Sequence, residues 1–384
     1  MKKRRGMALL SALLLALLPC AAFPGAAAEE AESSQAEESA PAETQAEGPA
    51  RATVSFLGDC SIGDTAQHEN YKSSYHTVLA EKGYAWPFSL VKSYLEADDL
   101  TVANLEVVLT TRNQHKNKVY YLRGKPEFAQ VLTLGSVEAV NTVNNHCEDF
   151  GKAGYQDTLD SLDAEGILRF GCLRPDLQSG HDDLLIQDLN GIRFGFIGFT
   201  YPQNDDVNRI EKRVKKLKEE EGCDVVIVSL HWGREEHDTP TSGQMSYAKK
   251  VINAGADMIF GHHPHVLQQI HFYEGKPILY STGNFTFGTM SRVDPSTGIF
   301  QLTWEKSGEG TELKKLQVIP CETTRSPDFR PFPLEDEEAC RAVFAKLRFK
   351  KENAGFVNLP ESFLETGIAE LKNGDFVQTV LDEE

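Results

Sequence analysis

From Thr53 onward, short runs of β-branched and aromatic residues alternate with segments that are apolar at every third or fourth position. The runs are 53–57 (TVSFL), 100–105 (LTVANL), 137–143 (VEAVNTV), 224–230 (DVVIVSL) and 257–260 (DMIF). Several are almost continuously apolar, as strands covered on both faces are. Helical periodicity falls near 87–96, 152–165, 207–220 and 243–254. Hairpin signals interrupt the alternation. Asn190-Gly191 separates LLIQDL from IRFGFIGF, and Asn-Gly is the strongest short sign of a two-residue turn. IHFY-EGK-PILYSTGNF and GIFQLTW…ELKKLQVI read as further antiparallel pairs. The mixture predicts an α/β domain of mixed sheets over residues 51–325 rather than one parallel sheet. No G-x-G-x-x-G follows the first strand, and there is no phosphate-loop lysine motif. After Pro320 the pattern weakens. Pro327, Pro331 and Pro333 mark a linker, 334–350 reads as an amphipathic helix, and 361–384 as one more. Residues 326–384 are therefore expected to be a helical extension, either a cap on the domain or an arm for a partner.

The beginning of the chain has another character. Lys2, Lys3, Arg4 and Arg5 precede the apolar run Met7 to Leu18, and small residues follow up to Ala26-Ala27-Ala28. Residues 1–28 thus read as an export signal, cleaved or kept as an N-terminal anchor. Residues 29–50 hold seven Glu and no basic or aromatic residue. Such a segment cannot bury enough apolar area to offset its chain entropy and is expected to be a disordered acidic linker. The location implied is extracellular or at the cell envelope.

Charge and cysteine content remove other classes. A net charge of -18 is a poor basis for binding nucleic acid. The seven Cys (20, 60, 147, 172, 223, 321 and 340) include no C-x-x-C pair, so a zinc ribbon or thioredoxin motif is excluded. Cys60 and Cys147 neighbour candidate ligands but read as buried hydrophobes.

Polar residues gather where the strand runs end, the place where open α/β sheets build sites. Asp59 follows VSFLG, Asn104 and Glu106 close LTVANLE, Asn145 and His146 follow VNTVN, His231 follows VVIVSL, and His263 and His265 follow DMIFG. Alone, each has a plain role in a cap, turn or surface. Together they are a donor set for two divalent cations of the Mn, Fe or Zn type, in which carboxylates, amide and neutral imidazoles hold the ions. A histidine beside the pair can protonate a leaving oxygen.

The blocks Gly58-Asp59, Asn104-Leu105-Glu106, Asn144-Asn145-His146 with Asp149 and Gly151, His231-Trp232-Gly233, Gly261-His262-His263-Pro264-His265-Val266 and Tyr280-Ser281-Thr282-Gly283-Asn284-Phe285 follow one another over residues 52–300. In that order they resemble the bacterial CapA (PGA_cap) capsule-synthesis family, the poly-γ-glutamate group of the calcineurin-like metallophosphoesterases. The resemblance implies an α/β/β/α sandwich. It implies Asp59, a bridging Glu106, Asn145, His231, His263 and His265 as metal ligands, with His231 and His263 on one ion and His265 on the other. It implies His146 as catalytic acid, Asp149 as the residue that orients it, and Ser281 and Asn284 as the floor of the pocket. Asn104 and Trp232 are also candidate pocket residues, Trp232 reading either as strand-end packing or as a surface on which substrate stacks. Two features depart from the wider superfamily. Ser61 stands where the first block carries a His, and Glu106 stands where the bridge is an Asp. His262 is left as a neighbour of H-P-H. His68, His76, His115, His181, His237 and His271 have no motif around them and read as surface residues. Lys116, Lys118, Arg123 and Lys125 form a basic stretch, either a solvated loop or a patch for an anion.

Three functions follow from this reading. One is an exported metal-dependent hydrolase or transferase in capsule or envelope-polymer synthesis, meeting an anionic polymer or phosphorylated intermediate. The second is a noncatalytic scaffold that holds polymer or membrane synthase subunits. The third is a secreted nucleotidase.

Overall fold

The computed structural model describes residues 48–171, 184–200, 206–288 and 294–377. The expected export signal, most of the acidic linker, Cys20, Cys172 and His181 lie outside them. Among the described residues, no helix is long and apolar enough to cross a membrane.

Two large mixed sheets form the centre. The first runs, in spatial order, Asp375–Phe376, Ile368–Lys372, Gly310–Thr323, Ser296–Ser307, Ala50–Ser61, Leu100–Leu105, Ala139–Asn141 and Leu168–Phe170. Two further strands join its path, Asn284–Phe287 beside Ala50–Ser61 and Pro331–Pro333 beside Gly310–Thr323. The second sheet runs Val357–Asn358, Ile270–Tyr273, Lys276–Leu279, Met258–His262, Val225–His231, Ile192–Thr200 and Leu184–Leu189. In each, the inner strands are parallel and the hairpins lie outside them. The Asn190-Gly191 turn has positive φ at both positions, which the twist of a two-residue hairpin requires.

Inner strands bury both faces, and the two sheets pack against each other. Val54, Phe56 and Val102 of the first sheet share a core with Phe194, Phe196, Ile227 and Phe260 of the second. Phe56 meets Phe260 edge to face at 4.9 Å, a geometry worth about 1 kcal/mol beyond the area buried. The outer face of the first sheet is covered by a cluster that includes Leu79, Leu95, Val131 and Leu162. Helices Asp206–Lys215 and Ser242–Asn253 cover the second through Ile210, Val214, Ala248 and Val251. The result is the expected sandwich, helices outside two sheets.

The helices differ in extent from the periodicity. The 87–96 pattern narrows to Lys92–Leu95, 152–165 becomes Gly151–Ala164, and 207–220 is Asp206–Lys215 continued by a π-helical turn, Lys216–Glu220. Of the C-terminal extension, only its first helix follows the expectation: Glu337–Leu347, capped by the Asp336 carboxylate accepting from Ala339 N at 2.9 Å. The second expected helix is corrected to a single turn, Phe363–Thr366, and a hairpin, Ile368–Lys372 with Asp375–Phe376. Ile-Ala-Glu-Leu-Lys alternates with period two, and Asn373-Gly374 supplies the positive-φ turn. The first hairpin strand pairs with Gly310–Thr323, so this segment completes the first sheet.

Candidate metal centre

The parallel strands of both sheets end at one edge, and the polar residues singled out in the sequence meet there. Asp59 lies opposite both Asn104 and Asn284 in the register of Ala50–Ser61 with its two parallel neighbours. A Cβ at Gly58 would sit 2.3 Å from the Gly283 carbonyl, and Asp59 N donates to that same carbonyl at 2.8 Å. Only glycine therefore lets the 281–284 loop close over the end of the strand. Gly261 has the same function in the second sheet, where a Cβ would lie 2.1 Å from the Tyr280 carbonyl. Beyond it the chain turns sharply. His263 and His265 have φ of 98° and 58°, strained for residues with a side chain, as is common at functional sites.

The carboxylates come from the first sheet and the imidazoles from the second. Asp59 and Glu106 have no exposure. Asp59 Oδ2 lies 3.2 Å from His265 Nδ1. Glu106 Oε1 lies 3.6 Å from His231 Nε2 and 3.8 Å from His265 Nε2. His231 Nε2 is 2.9 Å from the side-chain oxygen of Asn145. Two clusters of ligand atoms result, Asp59 with Glu106 and His231, and Glu106 with His263 and His265, each within 4.8 Å. Glu106 is common to both. The resemblance implied His231 and His263 on one ion and His265 on the other; here His231 falls in the first cluster and His263 and His265 in the second. The His263 ring is 4.8 Å from that of His231 and 5.8 Å from that of His265.

The donor set fits divalent cations. Neither oxygen of Glu106 accepts a hydrogen bond although both are buried. An unpartnered carboxylate in such a place is costly unless a cation balances it. Burial, and then the charge of Asp59, push the Glu106 carboxyl well above its usual range. Burial also acts upward on Asp59, but hydrogen bonding and charge from His262 and His265 outweigh it and hold the group low. Burial pushes His231 well below the usual imidazole range and His263 down to about 4, helped in the latter by the charge of His265. Burial acts downward on His265 too, but Glu106 and Asp59 lift it to about 10. His231 and His263 are thus neutral and Asp59 ionised, as a metal requires of its ligands, whereas Glu106 and His265 would each release a proton on binding one.

His146 stands at the edge of this group, on a turn that Asn144 shapes by accepting from His146 N at 3.0 Å and donating to the Leu105 carbonyl at 2.8 Å. Its Nδ1 is 2.6 Å from Asp149 Oδ2. Burial lowers the His146 imidazole against the pull of Asp149.

The four residues expected around the pocket are placed differently from one another. Asn104 lies behind the carboxylates, donating to Asp59 Oδ1 at 2.8 Å and accepting from Asn141 Nδ2 at 2.9 Å. Asn284 Oδ1 is 3.0 Å from His265 Nδ1, and its amide donates to the His265 carbonyl at 3.2 Å. Ser281 is buried, and its hydroxyl donates to the Val266 carbonyl at 2.7 Å. It ties loop to loop and forms no pocket floor. Trp232 follows its packing reading and is corrected as a pocket residue: it turns into the outer core of the second sheet, stacks on Tyr280 at 5.9 Å and donates Nε1–H to the Tyr280 carbonyl at 3.0 Å. An indole with no apolar neighbour in sequence finds its partner 48 residues away.

Sequence reasoning passed over several residues. His262 has no exposure, and its Nδ1 lies 3.3 Å from Asp59 Oδ1. Lys118 reaches Asp149 at 2.7 Å. Of the two readings of the basic stretch, the solvated loop fits better: residues 111–117 are exposed, and Lys116 pairs with Glu148, Lys118 with Asp149 and Arg123 with Glu69. His271 and His76 are corrected from surface residues. His271 is fully buried, and His76 Nδ1 meets the buried Asp64 at 2.8 Å. Only the basic run 116–125, between the blocks of Glu106 and His146, could have pointed to Lys118. Cys60, Cys147, Cys223, Cys321 and Cys340 are free thiols.

The sequence profile of the bacterial capsule synthesis protein PGA_cap matches residues 53–289, which is more than half of the chain and carries every ligand described above. The chain belongs to this family. It is 28% identical to the PGA biosynthesis protein CapA of Bacillus subtilis over 287 residues, covering 70% of each chain. It is 28% identical to the capsule biosynthesis protein CapA of Bacillus anthracis over 259 residues, covering 62% of this chain and 60% of that one. Among solved structures, a phosphatase from Mycoplasma pneumoniae aligns with 71% of this chain and 94% of its own, at 14% identity and a TM-score of 0.45.

Proposed function

We propose that this family member is an exported, metal-dependent hydrolase or transferase of capsule or related envelope-polymer synthesis, acting through two divalent cations that Glu106 and its neighbours would hold. One observation carries the reading: a fully buried carboxylate with no hydrogen-bond donor at the focus of three imidazoles and a second carboxylate. Asp59, Glu106, Asn145, His231, His263 and His265 would hold the ions, of Mn, Fe or Zn type. When bound, such a pair polarises a phosphoryl or carbonyl oxygen and supplies a nucleophile at neutral pH. Asp149 holds the His146 ring through Nδ1, leaving Nε2 to exchange a proton with the leaving oxygen. Asn104 and Asn284 fix the orientation of Asp59 and His265, as outer partners of metal ligands do. The basic and apolar residues 2–18 support export or an N-terminal anchor. The substrate would be a phosphorylated intermediate or the anionic polymer itself, with membrane synthase subunits as partners.

Elemental analysis of the full chain, as purified and after reconstitution with manganese, tests the site. Two ions per chain are expected. One or none would favour the scaffold reading, which rests on Ser61, a buried serine whose hydroxyl has no partner where the superfamily has a His. His146→Ala should keep both ions and lose about 10²–10⁴-fold in turnover of a phosphoester such as bis(p-nitrophenyl) phosphate. Unchanged turnover would remove His146 from the chemistry. The nucleotidase reading is weaker, because the inward-turned Trp232 offers no face to a base.

A further inference from the structure

Residues 111–121 run between strands Val108–Leu109 and Leu122–Gly124 and cross the turn that carries Asn145, His146 and Asp149. Two lysines of this crossing, two residues apart, reach down to acids of the turn. Lys116 Nζ donates to Glu148 Oε2 at 2.7 Å, and Lys116 N donates to the Asp149 carbonyl at 2.7 Å. Lys118 Nζ donates to Asp149 Oδ1 at 2.7 Å and to the Asn145 carbonyl at 3.0 Å, and it lies 3.4 Å from His146 Nδ1. The other oxygen of Asp149 is occupied by His146 Nδ1 at 2.6 Å and by Leu122 N at 2.8 Å. Asp149 is 1% exposed, so water does not balance its charge, and a buried carboxylate deprived of its cation is costly.

The geometry assigns Lys118 as the positioning residue of the His146–Asp149 pair. Its ammonium joins the carboxylate that orients His146 to the carbonyl of Asn145, closing the turn from both ends. Asn145 and His146 are neighbours in the chain with different tasks, one facing His231 and the other held by Asp149. A bond that fixes Asn145 through its main chain and His146 through Asp149 holds the two tasks in register. Lys118 does not touch the reacting atoms in this assignment, because its N–H groups are spent on the turn. Lys116 is the internal control: the same crossing and the same kind of pair, but to Glu148, which does not hold His146.

This inference rests on the proposed hydrolytic reading, so its test has a readout that survives the failure of that reading. In the full chain loaded with manganese, Lys118→Met should lower kcat on bis(p-nitrophenyl) phosphate about 10–100-fold, the usual cost of losing a partner that orients a ligand or catalytic group. KM should stay within about threefold, and metal content should not change. Lys118→Arg should recover most of the rate, and Lys116→Met should retain it. In the metal-free protein, imidazole nitrogen NMR should show the His146 Nδ1–H signature perturbed in Lys118→Met and intact in Lys116→Met. Equal loss in both methionine variants would reduce Lys118 to an anchor of the crossing. A full rate in Lys118→Met, or an unperturbed His146 signature, would overturn the assignment. If the wild type turns over no phosphoester, the hydrolytic reading falls and the NMR comparison alone decides the role of Lys118.

Discussion

His231 and His271 both sit in the second sheet without exposure, and burial pushes both imidazoles below their usual range, His271 to about 4 with help from Lys249. Their surroundings differ in kind. His231 faces Asn145 at 2.9 Å and Glu106 at 3.6 Å. His271 lies between two parallel rings, Phe349 at 3.7 Å and Phe356 at 4.4 Å, with its nitrogens near Tyr280 Oη and Asn353 Nδ2. A neutral, buried histidine is therefore not in itself a sign of chemistry. What distinguishes His231 is Glu106, a buried carboxylate aimed at the same point with no donor of its own. His271 instead clamps the segment after helix Glu337–Leu347 onto the edge of the sheet.

The largest effect should come from removing the acceptor at the centre of the first environment. Glu106→Gln keeps the shape and removes the charge. Partners that merely orient a ligand are worth about 10–100-fold in metal affinity, so Glu106, in its proposed place between two ions, should be worth more than about 100-fold. Elemental analysis should find at most one ion per chain. The metal-free variant should melt above the metal-free wild type, since it no longer buries an unpartnered carboxyl group. A variant that retains two ions would place the bridge elsewhere.

The same substitution logic shows what the sequence made legible. Every candidate ligand stands at the end of a run whose apolar continuity marked it as an inner strand, so the topology brought these residues to one edge. Trp232, Lys118 and His271 could not be read that way. Their roles depend on partners 48, 31 and 78 positions distant, and nothing in a local window shows which of two faces a side chain takes. The C-terminal hairpin is a different case: Ile368–Lys372 alternates and Asn373-Gly374 marks the turn, but proline-rich residues before it suggested that the sheet had ended.

The second environment is tested by pH. Folded His271 titrates at about 4, below the unfolded value near 6.5, so the folded state binds its proton later. Stability from the neutral ring is complete above about pH 6.5 and is lost as pH falls toward 4. Lys249 adds to the cost of a second positive charge there. His271→Phe keeps a ring between Phe349 and Phe356 and cannot titrate. Between pH 7 and 4.5 the wild type should lose about 2 kcal/mol more than the variant in denaturant unfolding. Parallel pH profiles would mean that the ring pair tolerates imidazolium. Steeper loss in the variant would put the titration elsewhere.

The smallest effect extends the comparison to carboxylates. Asp98 is pushed up to about 6, first by burial and further by Glu138 and Asp99, against hydrogen bonds from Ser55 and Thr101. Like Glu106 it is a partly or wholly desolvated acid near other acids, but hydroxyls and not imidazoles face it, with Thr101 Oγ1 donating at 2.8 Å. Its folded pKa is above the unfolded value near 3.9, so the ionised form weakens the fold. That penalty is absent below about pH 4 and complete above about pH 6. Asp98→Asn keeps an acceptor for Thr101 and removes the charge. It should gain about 1 kcal/mol at pH 7, allowing for the residue's partial exposure, and almost nothing at pH 4. An equal gain at both values would trace the effect to packing. No gain at pH 7 would mean that the two hydroxyls balance the charge by themselves, which would set the donorless Glu106 still further apart.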